Sequence, residues 1–189
     1  MTAGQASYRS AFAHIPTAVS VITTSDADGA PWGVTIGALC SLSVRPPLIL
    51  FCLDKANESH AVLTASAWFL VHVLADHQAG VAARFAQRGS HRFDAGFDSI
   101  GKSWCGLPTI SEVLVRIHGR QTSLLDGGDH TIVIAHVKNV EVNEGRPLLY
   151  HEHGYHGLAD VPGWVERIGA PFARVGGVDE GAATSPLGR

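Results

Sequence analysis

A phosphate-loop pattern is the first segment of this sequence whose residue types suggest chemistry. Residues 96–103 read GFDSIGKS and match GxxxxGK followed by Ser or Thr, in which backbone amides and a lysine hold nucleotide phosphates. That chemistry requires a buried strand before the loop and a helix after it. The segment instead continues as WCGLP, in which Pro108 opposes a helix, and Asp98 would place a carboxylate among the phosphates. We interpret the match as coincidental.

Three histidines near the end of the last predicted strand suggest a second chemistry, metal binding. His151, His153 and His156 lie within HEHGYH, and the first two would share one face of a strand. A metal site needs three or four converging ligands, and no further cluster of Asp, Glu or Cys accompanies these histidines. The favoured interpretation is a polar strand end near a ligand pocket, and no metal is predicted.

Nucleophilic catalysis by a serine or a cysteine has little support in the sequence. The GxSxG pattern of many serine hydrolases is absent. Cys40 and Cys52 lie within apolar segments, where a packed thiol is the ordinary expectation, and no local context identifies an activated thiolate. A covalent mechanism is therefore not expected.

A polar segment between predicted strands has the residue types to bind a planar ligand. Small and hydroxyl-bearing residues, among them Thr35, Ser41 and Ser43, interrupt the apolar run GVTIGALCSLSVRPP. Ordinary turn and edge-strand chemistry explains this pattern, and so does a groove in which backbone amides and hydroxyls bind a heterocycle. In the second case the turn with Asn57 and Ser59, which opens a helix, would hold a phosphate.

Seven predicted strands must position these residues. They are predicted over residues 18–24, 31–39, 48–53, 68–74, 112–125, 130–142 and 147–153. Short helices are predicted over 5–13, 58–67 and 77–88, and an irregular loop over 89–108. Because most strands are linked by hairpin turns such as DADG and DGGD, rather than by helices, the pattern predicts a mainly β (α+β) fold. We expect a small antiparallel barrel with short helices.

Composition and charge exclude several classes of protein. The chain has 189 residues, with 14 Lys and Arg against 17 Asp and Glu, and a net charge of −3, so it has no electrostatic footprint for nucleic acid or an anionic membrane. No apolar run approaches the roughly 18 residues of a membrane helix, and the first residues do not resemble a signal peptide. Three cysteines without CxxC spacing fit a reducing compartment. A cytoplasmic protein without a nucleic-acid or membrane partner is predicted.

The order of segments resembles the flavin reductase-like family, whose fold is the FMN-binding split barrel. The resemblance runs from about Ser10 to Leu158. Its segments are FAHIPTAVSVITT, DGAPWGVTIGALCSLSVRPPLILFCL, KANES, FLVHVLADHQAGVAARFA, GLP, GDHTIVIAHV and PLLYHEHGYHGL. Each segment is weak alone, but the ordered set is specific. We therefore expect an antiparallel split β-barrel domain over residues 1–162 and a Gly/Pro-rich C-terminal tail over 163–189.

The resemblance implies an activity, cofactors and partners. Family members are small reductases that supply reduced flavin to two-component monooxygenases, which implies an NAD(P)H:flavin oxidoreductase. It would transfer hydride from NADH, or alternatively NADPH, to FMN or FAD. A homodimer and a monooxygenase partner are implied as well, and the apolar composition, 46% against 16% charged residues, agrees with a covering subunit. Two alternatives stay open: a flavin-dependent ferric reductase, and a non-catalytic flavin- or haem-binding module.

The resemblance also implies site residues. The flavin ring would be lined by Val34, Thr35, Ile36, Ser41, Leu42 and Ser43. Asn57 and Ser59 would meet the ribityl phosphate, and Phe85, Ala86 and Arg92 would close the other side. His130 of the GDH segment would lie beside the nicotinamide as the catalytic residue, with Tyr155 near its open face.

The chain departs from the usual family pattern at three places. Ala38-Leu39 stands where Ser-Phe is common, His72 where Asn is common, and Ala135-His136 where Gly-Glu is frequent. The first departure alters one expected flavin hydrogen bond and the wall over the dimethylbenzene ring. The GDH segment and the SxSxxPP pattern are both retained.

Overall fold

Twelve strands and three α-helices form the described part of the chain, residues 2–89, 93 and 100–158 of the computed structural model. The helices are α1 (Ala3–Ala13), α2 (His60–Ala65) and α3 (Ala79–Ala86). The strands are β1 (Thr17–Ala18), β2 (Ser20–Ser25), β3 (Pro31–Ile36), β4 (Leu39–Val44), β5 (Pro47–Asp54), β6 (Trp68–Val73), β7 (Ile100–Trp104), β8 (Leu107–Ile110), β9 (Val115–Gly127), β10 (His130–Val142), β11 (Leu148–His151) and β12 (Gly154–Gly157).

Seven strands form the main sheet, in the order β3-β2-β6-β9-β10-β5-β4. Every neighbouring pair is antiparallel, so the predicted mainly β, antiparallel fold is confirmed. Gly37 and Ala38 alone separate β3 from β4, yet β3 pairs with β2 and β4 pairs with β5. Because β3 and β4 remain edge strands, the hydrogen bonds do not close the sheet, and the predicted split barrel is not confirmed.

The segment predicted as an irregular loop over 89–108 contains a hairpin. Strand β7 pairs with β8, and Trp104 lies opposite Leu107. Between them Cys105 and Gly106 have φ angles of 54° and 80°, the positive values that a type I′ turn requires at both central residues. Lys102 of the phosphate-loop pattern therefore lies in extended backbone, where a true phosphate loop would begin a helix. The first part of the pattern, residues 96–99, lies outside the described residues.

The last predicted strand, 147–153, is divided into two. Strand β11 ends at His151, and Glu152 and His153 turn the chain with φ angles of 48° and 63°. Strand β12 then pairs back onto β11. His151 and His153 consequently do not share a strand face, contrary to the sequence expectation. In residues 2–89, 93 and 100–158, no three His, Cys, Asp or Glu side chains converge to hold a metal ion.

The core lies on both faces of the main sheet. Strand β2 is buried on both sides, since Ile22 belongs to one hydrophobic cluster and Val21 to another. The first cluster includes Phe51, Phe69 and Leu63 of α2. The second includes Phe85 of α3. The two short helices therefore cover opposite faces of the sheet, and α3 begins only after a 3₁₀ turn, Asp76–Gln78, where the sequence predicted helix.

Two further expectations concern a membrane helix and the C-terminal tail. No described helix is both long and apolar enough to cross a membrane. The described residues end at 158, so the tail predicted over 163–189 and its boundary with the domain lie outside them.

Candidate active site

A cleft with a volume of about 1320 Å³ opens at one end of the main sheet. Its walls are α1, β3, the end of β5 with the turn into α2, and the tip of the β9–β10 hairpin. Ordinary small-molecule pockets measure roughly 300–1,000 Å³, so the cleft is larger than a usual site for one small ligand.

Five of the predicted site residues line this cleft: Val34, Thr35, Ile36, Asn57 and His130. Because side chains alternate in direction along β3, Val34 and Ile36 face one side of the strand and Thr35 faces the other. Val34 and Ile36 point into the cluster that contains Phe51, whereas the Thr35 hydroxyl points the other way and donates to the Ala82 carbonyl at 2.8 Å. Thr35 therefore contributes backbone to the cleft, and the two aliphatic side chains give β3 an apolar surface.

The turn between β5 and α2 holds Asn57 at the cleft wall. The Asp54 carboxylate accepts from the Ala56 amide at 2.8 Å, and the Asp54 carbonyl accepts from the Asn57 amide at 3.0 Å. The Asn57 side-chain oxygen in turn accepts from the Ser59 amide at 2.9 Å. Because that oxygen is used within the turn, the side-chain NH₂ of Asn57 is the group it can offer to a ligand.

Ser59 does not line the cleft. Its side chain is fully buried, and its hydroxyl donates to the carbonyl of Gly33 at 3.1 Å. The hydroxyl joins α2 to β3. The predicted role of Ser59 at a flavin phosphate stays a prediction, since serine at the start of a helix is equally typical of an anion contact and of a structural bond.

Phe85 and Ala86 also lie away from the cleft. Phe85 is fully buried in the second hydrophobic cluster, and Ala86 is exposed at the end of α3. Gly33 and Thr35 face α3, as shown by the close approach of Phe85 to Gly33 and the bond from Thr35 to α3. Helix α3 thus covers the face of β3 opposite the apolar cleft wall.

Four further residues of the predicted site do not line the cleft, and the structure does not describe a fifth. Ser41 and Leu42 are exposed and Ser43 half-buried on edge strand β4, outside the cleft. Tyr155 lies on β12, half-buried against the second cluster, with its ring centroid 5.4 Å from that of Tyr150. Arg92 lies outside the described residues. Their predicted roles remain predictions.

His130 stands at the start of β10, where the hairpin tip meets the cleft. Gly128, with a φ of 79°, turns the chain just before it, as the first central residue of a type II′ turn does. The His130 Nδ1 donates to the Asp129 carboxylate at 2.7 Å. This bond and the histidine's charge, together with the charge of Arg9, hold the pKa of Asp129 below its ordinary value. The imidazole Nε2 remains to face a ligand.

Cleft residues that the sequence analysis missed lie on two helices. His60 at the start of α2 lines the cleft, with its Nε2 2.8 Å from the Thr131 hydroxyl oxygen. Tyr8, Arg9 and Phe12 of α1 line it as well. The i, i+1, i+4 spacing of the last three was visible as one face of a helix, but nothing local indicated which surface that face would meet.

Cys52 also lines the cleft, and its environment makes it a poor nucleophile. Burial and the nearby Cys40 thiol raise the pKa of Cys52 above its ordinary value. The thiol is therefore protonated near neutral pH, whereas nucleophilic attack requires the thiolate. This agrees with the expectation that catalysis here is not covalent.

A comparison with protein-family models identifies the chain. The model described as "Flavin reductase like domain" matches residues 12–159. The chain belongs to this family. The match begins within α1 and covers every strand described above, including those that form the cleft.

Relatives and solved structures of this family cover most of the chain. A flavin-dependent monooxygenase reductase subunit from Rhodococcus jostii is 38% identical over 152 residues, which is 80% of this chain and 76% of the relative. An NADH:riboflavin 5′-phosphate oxidoreductase from Streptomyces pristinaespiralis is 32% identical over 157 residues, 81% of this chain and 88% of the relative. An NADH:FAD oxidoreductase from Streptomyces globisporus, solved with NAD and FAD fragments, superposes with a TM-score of 0.74 at 28% identity, over 82% of this chain and 93% of that one.

Proposed function

We propose that this protein is an NADH:flavin oxidoreductase that reduces FMN or FAD and supplies the reduced flavin to a partner monooxygenase. The observation that carries the proposal is that β3 and the tip of the β9–β10 hairpin, which includes His130, line one large cleft. The family and the named relatives agree with it. NADPH remains the alternative hydride donor.

The residues of the cleft fit a flavin and a nicotinamide. Val34, Ile36 and Leu63 line the cleft with a small apolar surface, since these residues are 6%, 7% and 2% exposed. Asn57, His60 and His130 place polar groups around that surface. A mostly apolar pocket with a few oriented polar groups is the usual character of a cofactor site.

The protein's part in the reaction is orientation. The two bound molecules themselves supply hydride transfer from nicotinamide to flavin. Val34 and Ile36 would support a ring from one side, and the Asn57 amide would donate to it or to its side chain. His130, with its orientation fixed by the Nδ1 bond to Asp129, would hold a polar group of the nicotinamide nucleotide through Nε2. Catalysis by alignment requires no paired carboxylates or activated nucleophile.

We further propose the split-barrel type of fold and a homodimer. The exposed edge strand β4 carries Leu42 and Val44, whose side chains are 44% and 81% exposed. Val142 on β10 is 73% exposed. A second copy that covered these side chains would bury apolar groups that are exposed in one copy of the chain. Light scattering of the purified protein tests this, and a monomer at micromolar concentration would contradict it. The cytoplasmic location stays a prediction.

The activity is tested by NADH oxidation under air, with purified protein and added FMN, FAD or riboflavin. We expect oxidation that depends on flavin, and the ratio of rates identifies the preferred flavin. Absence of turnover with every flavin and with both nicotinamide nucleotides would overturn the proposal. A flavin spectrum retained by such an inactive protein would identify the binding module instead, and turnover that requires ferric iron would identify the ferric reductase.

A further inference from the structure

We infer that Arg9 on α1 binds a phosphate group of the bound flavin or nicotinamide nucleotide, which makes α1 a wall of the cofactor site. The inference rests on the proposed function, because it assumes that the cleft receives phosphorylated cofactors. No site residue was expected on α1 from the sequence.

Helix α1 is capped at its start, and its end is tied to another part of the chain. At its start the Thr2 amide donates to the Gln5 side chain at 2.8 Å, and the Gln5 amide donates back to the Thr2 hydroxyl at 3.3 Å. This is a capping box. At its end the Ala13 carbonyl accepts from the Glu152 amide at 2.9 Å, which ties the last turn to the β11–β12 hairpin.

The cleft-facing side of α1 combines one cation with two aromatic rings. Tyr8, Arg9 and Phe12 line the cleft together, and the two ring centroids lie 4.5 Å apart. Tyr8 and Phe12 are 62% and 55% exposed. Exposing two adjacent aromatic rings to water is unfavourable in free energy unless a ligand covers them. A cofactor in the cleft would bury part of these rings while its phosphate met the guanidinium.

The charges of the cleft favour a cation, and among the lining residues that the structure describes Arg9 is the one with a permanent positive charge. Among the described lining residues, Asp54 and Asp129 carry carboxylates and Arg9 carries the permanent positive charge. A phosphate dianion added to two carboxylates would be repelled without compensation. Lys55, next to the cleft, is already bonded to Asp126 and donates to the Gly128 carbonyl at 2.6 Å.

Each histidine of the cleft has one ring nitrogen in a hydrogen bond, whereas the Arg9 guanidinium has no partner among the described residues. His60 pairs with the Thr131 hydroxyl and His130 with Asp129. Within residues 2–89, 93 and 100–158, the Arg9 guanidinium makes no hydrogen bond and no close ion pair. Its charge nevertheless reaches Asp129 and helps to lower the pKa of that carboxyl, which places the guanidinium at the His130 side of the cleft. A guanidinium can bind phosphate through two parallel bonds, which a lysine cannot.

The test compares FMN with riboflavin, which lacks the phosphate, by titrating flavin fluorescence without NADH. Replacing Arg9→Gln should weaken FMN binding by about tenfold or more, as expected for a charge-assisted hydrogen bond, and leave riboflavin binding unchanged. Arg9→Lys should retain part of the preference for FMN. Arg120→Gln, on exposed β9 over the Trp68 ring, is the matched control and should change neither affinity.

A second arm distinguishes the two sources of phosphate. With riboflavin as the acceptor, a raised KM for NADH in Arg9→Gln would assign the contact to the nicotinamide nucleotide. The inference is overturned if Arg9→Gln changes neither the FMN preference nor the KM for NADH. It is also overturned if riboflavin binding falls by the same factor as FMN binding, since α1 would then only shape the cleft. Failure of the proposed function gives a different result, a wild-type protein without flavin-dependent NADH oxidation, whether or not it binds flavin.

Discussion

The Ser59 hydroxyl donates to the Gly33 carbonyl at 3.1 Å, and this bond joins the start of α2 to the cleft strand β3. Both residues are buried. The bond connects the turn that carries Asn57 with the strand that carries Val34, so the distance between these two cleft residues depends on it. In this structure Ser59 is connected to the cleft through β3.

Ser59→Ala should lower the free energy of unfolding by about 1–2 kcal/mol, because a buried hydrogen bond is lost. FMN affinity should change far less than it does in Asn57→Asp. Urea unfolding followed by fluorescence and a flavin titration measure the two effects. Unchanged stability with strongly weakened FMN binding would instead return Ser59 to the role of a phosphate ligand.

Asn57→Asp should weaken FMN binding by at least about tenfold, since one hydrogen bond to a charged group is lost and a negative charge is introduced. The substitution keeps the oxygen that accepts from the Ser59 amide at 2.9 Å, so the turn should remain folded. Riboflavin, without the phosphate, should lose less affinity than FMN. Equal losses for both flavins would contradict a contact between Asn57 and the phosphate.

Gly33→Ala should destabilise the protein by about 1–3 kcal/mol through overpacking. A Cβ at Gly33 would lie 2.7 Å from a ring carbon of Phe85, and Phe85 is fully buried. Gly80→Ala on α3 is the matched control, because a Cβ there meets nothing within 4 Å and alanine favours helix. Thermal unfolding compares the two, and similar melting temperatures would contradict the close approach of α3 to β3.

His130→Ala should lower kcat/KM for NADH by at least about tenfold, the equivalent of one hydrogen bond, and should leave FMN affinity unchanged. The physical reason is that His130 faces the nicotinamide nucleotide in the proposed arrangement and does not support the flavin. His77→Ala, an exposed histidine near Asp76, is the control. A loss of FMN binding in His130→Ala that matches the loss of turnover would place His130 against the flavin.

His72 should make the protein less stable in mild acid. Burial is the main cause that lowers its pKa from 6.5 to about 3, assisted by the charge of Arg116. The unfolded chain therefore binds a proton below pH 6.5 that the folded protein does not, and stability falls as the pH falls. One pH unit corresponds to about 1.4 kcal/mol, so about 2 kcal/mol should be lost between pH 6.5 and 5.

His72→Asn removes this titration and should flatten the pH dependence of stability in the same range. Asparagine can still donate to the Val21 carbonyl, which now lies 3.2 Å from the His72 Nδ1. Urea unfolding at pH 6.5 and pH 5 measures the difference, with His77→Asn as the exposed control. An unchanged slope in His72→Asn would show that His72 is protonated in the folded protein.

The local sequence pattern was sufficient to predict an element where residues close in the chain determine its structure. The β9–β10 hairpin was predicted because DGGD supplies a turn between two runs of β-branched residues. The β7–β8 hairpin was missed because its residues, IGKSW and LPTI, carry little alternation and the Cys105-Gly106 turn is a weak signal. The closure of the sheet was beyond local pattern, since it depends on strands distant in the chain.

The candidate site divides in the same way. Asn57 and His130 line the cleft, and turn motifs that resemble a family carry both residues. Phe85 lies away from the cleft because its direction depends on which face of β3 the helix α3 covers. His60 and Arg9 were not predicted, because the sequence around a polar residue on a short helix does not indicate which surface that residue will contact.

The sequence alone determined the hairpins, the antiparallel character of the sheet and the turns at Asn57 and His130. These features follow from interactions between residues close in the chain. Only the tertiary structure decided that Ser59 faces Gly33, that α3 covers the far side of β3 and that Arg9 faces the cleft. Each of these depends on the packing of elements far apart in the chain, which the spacing of residues within one element does not specify.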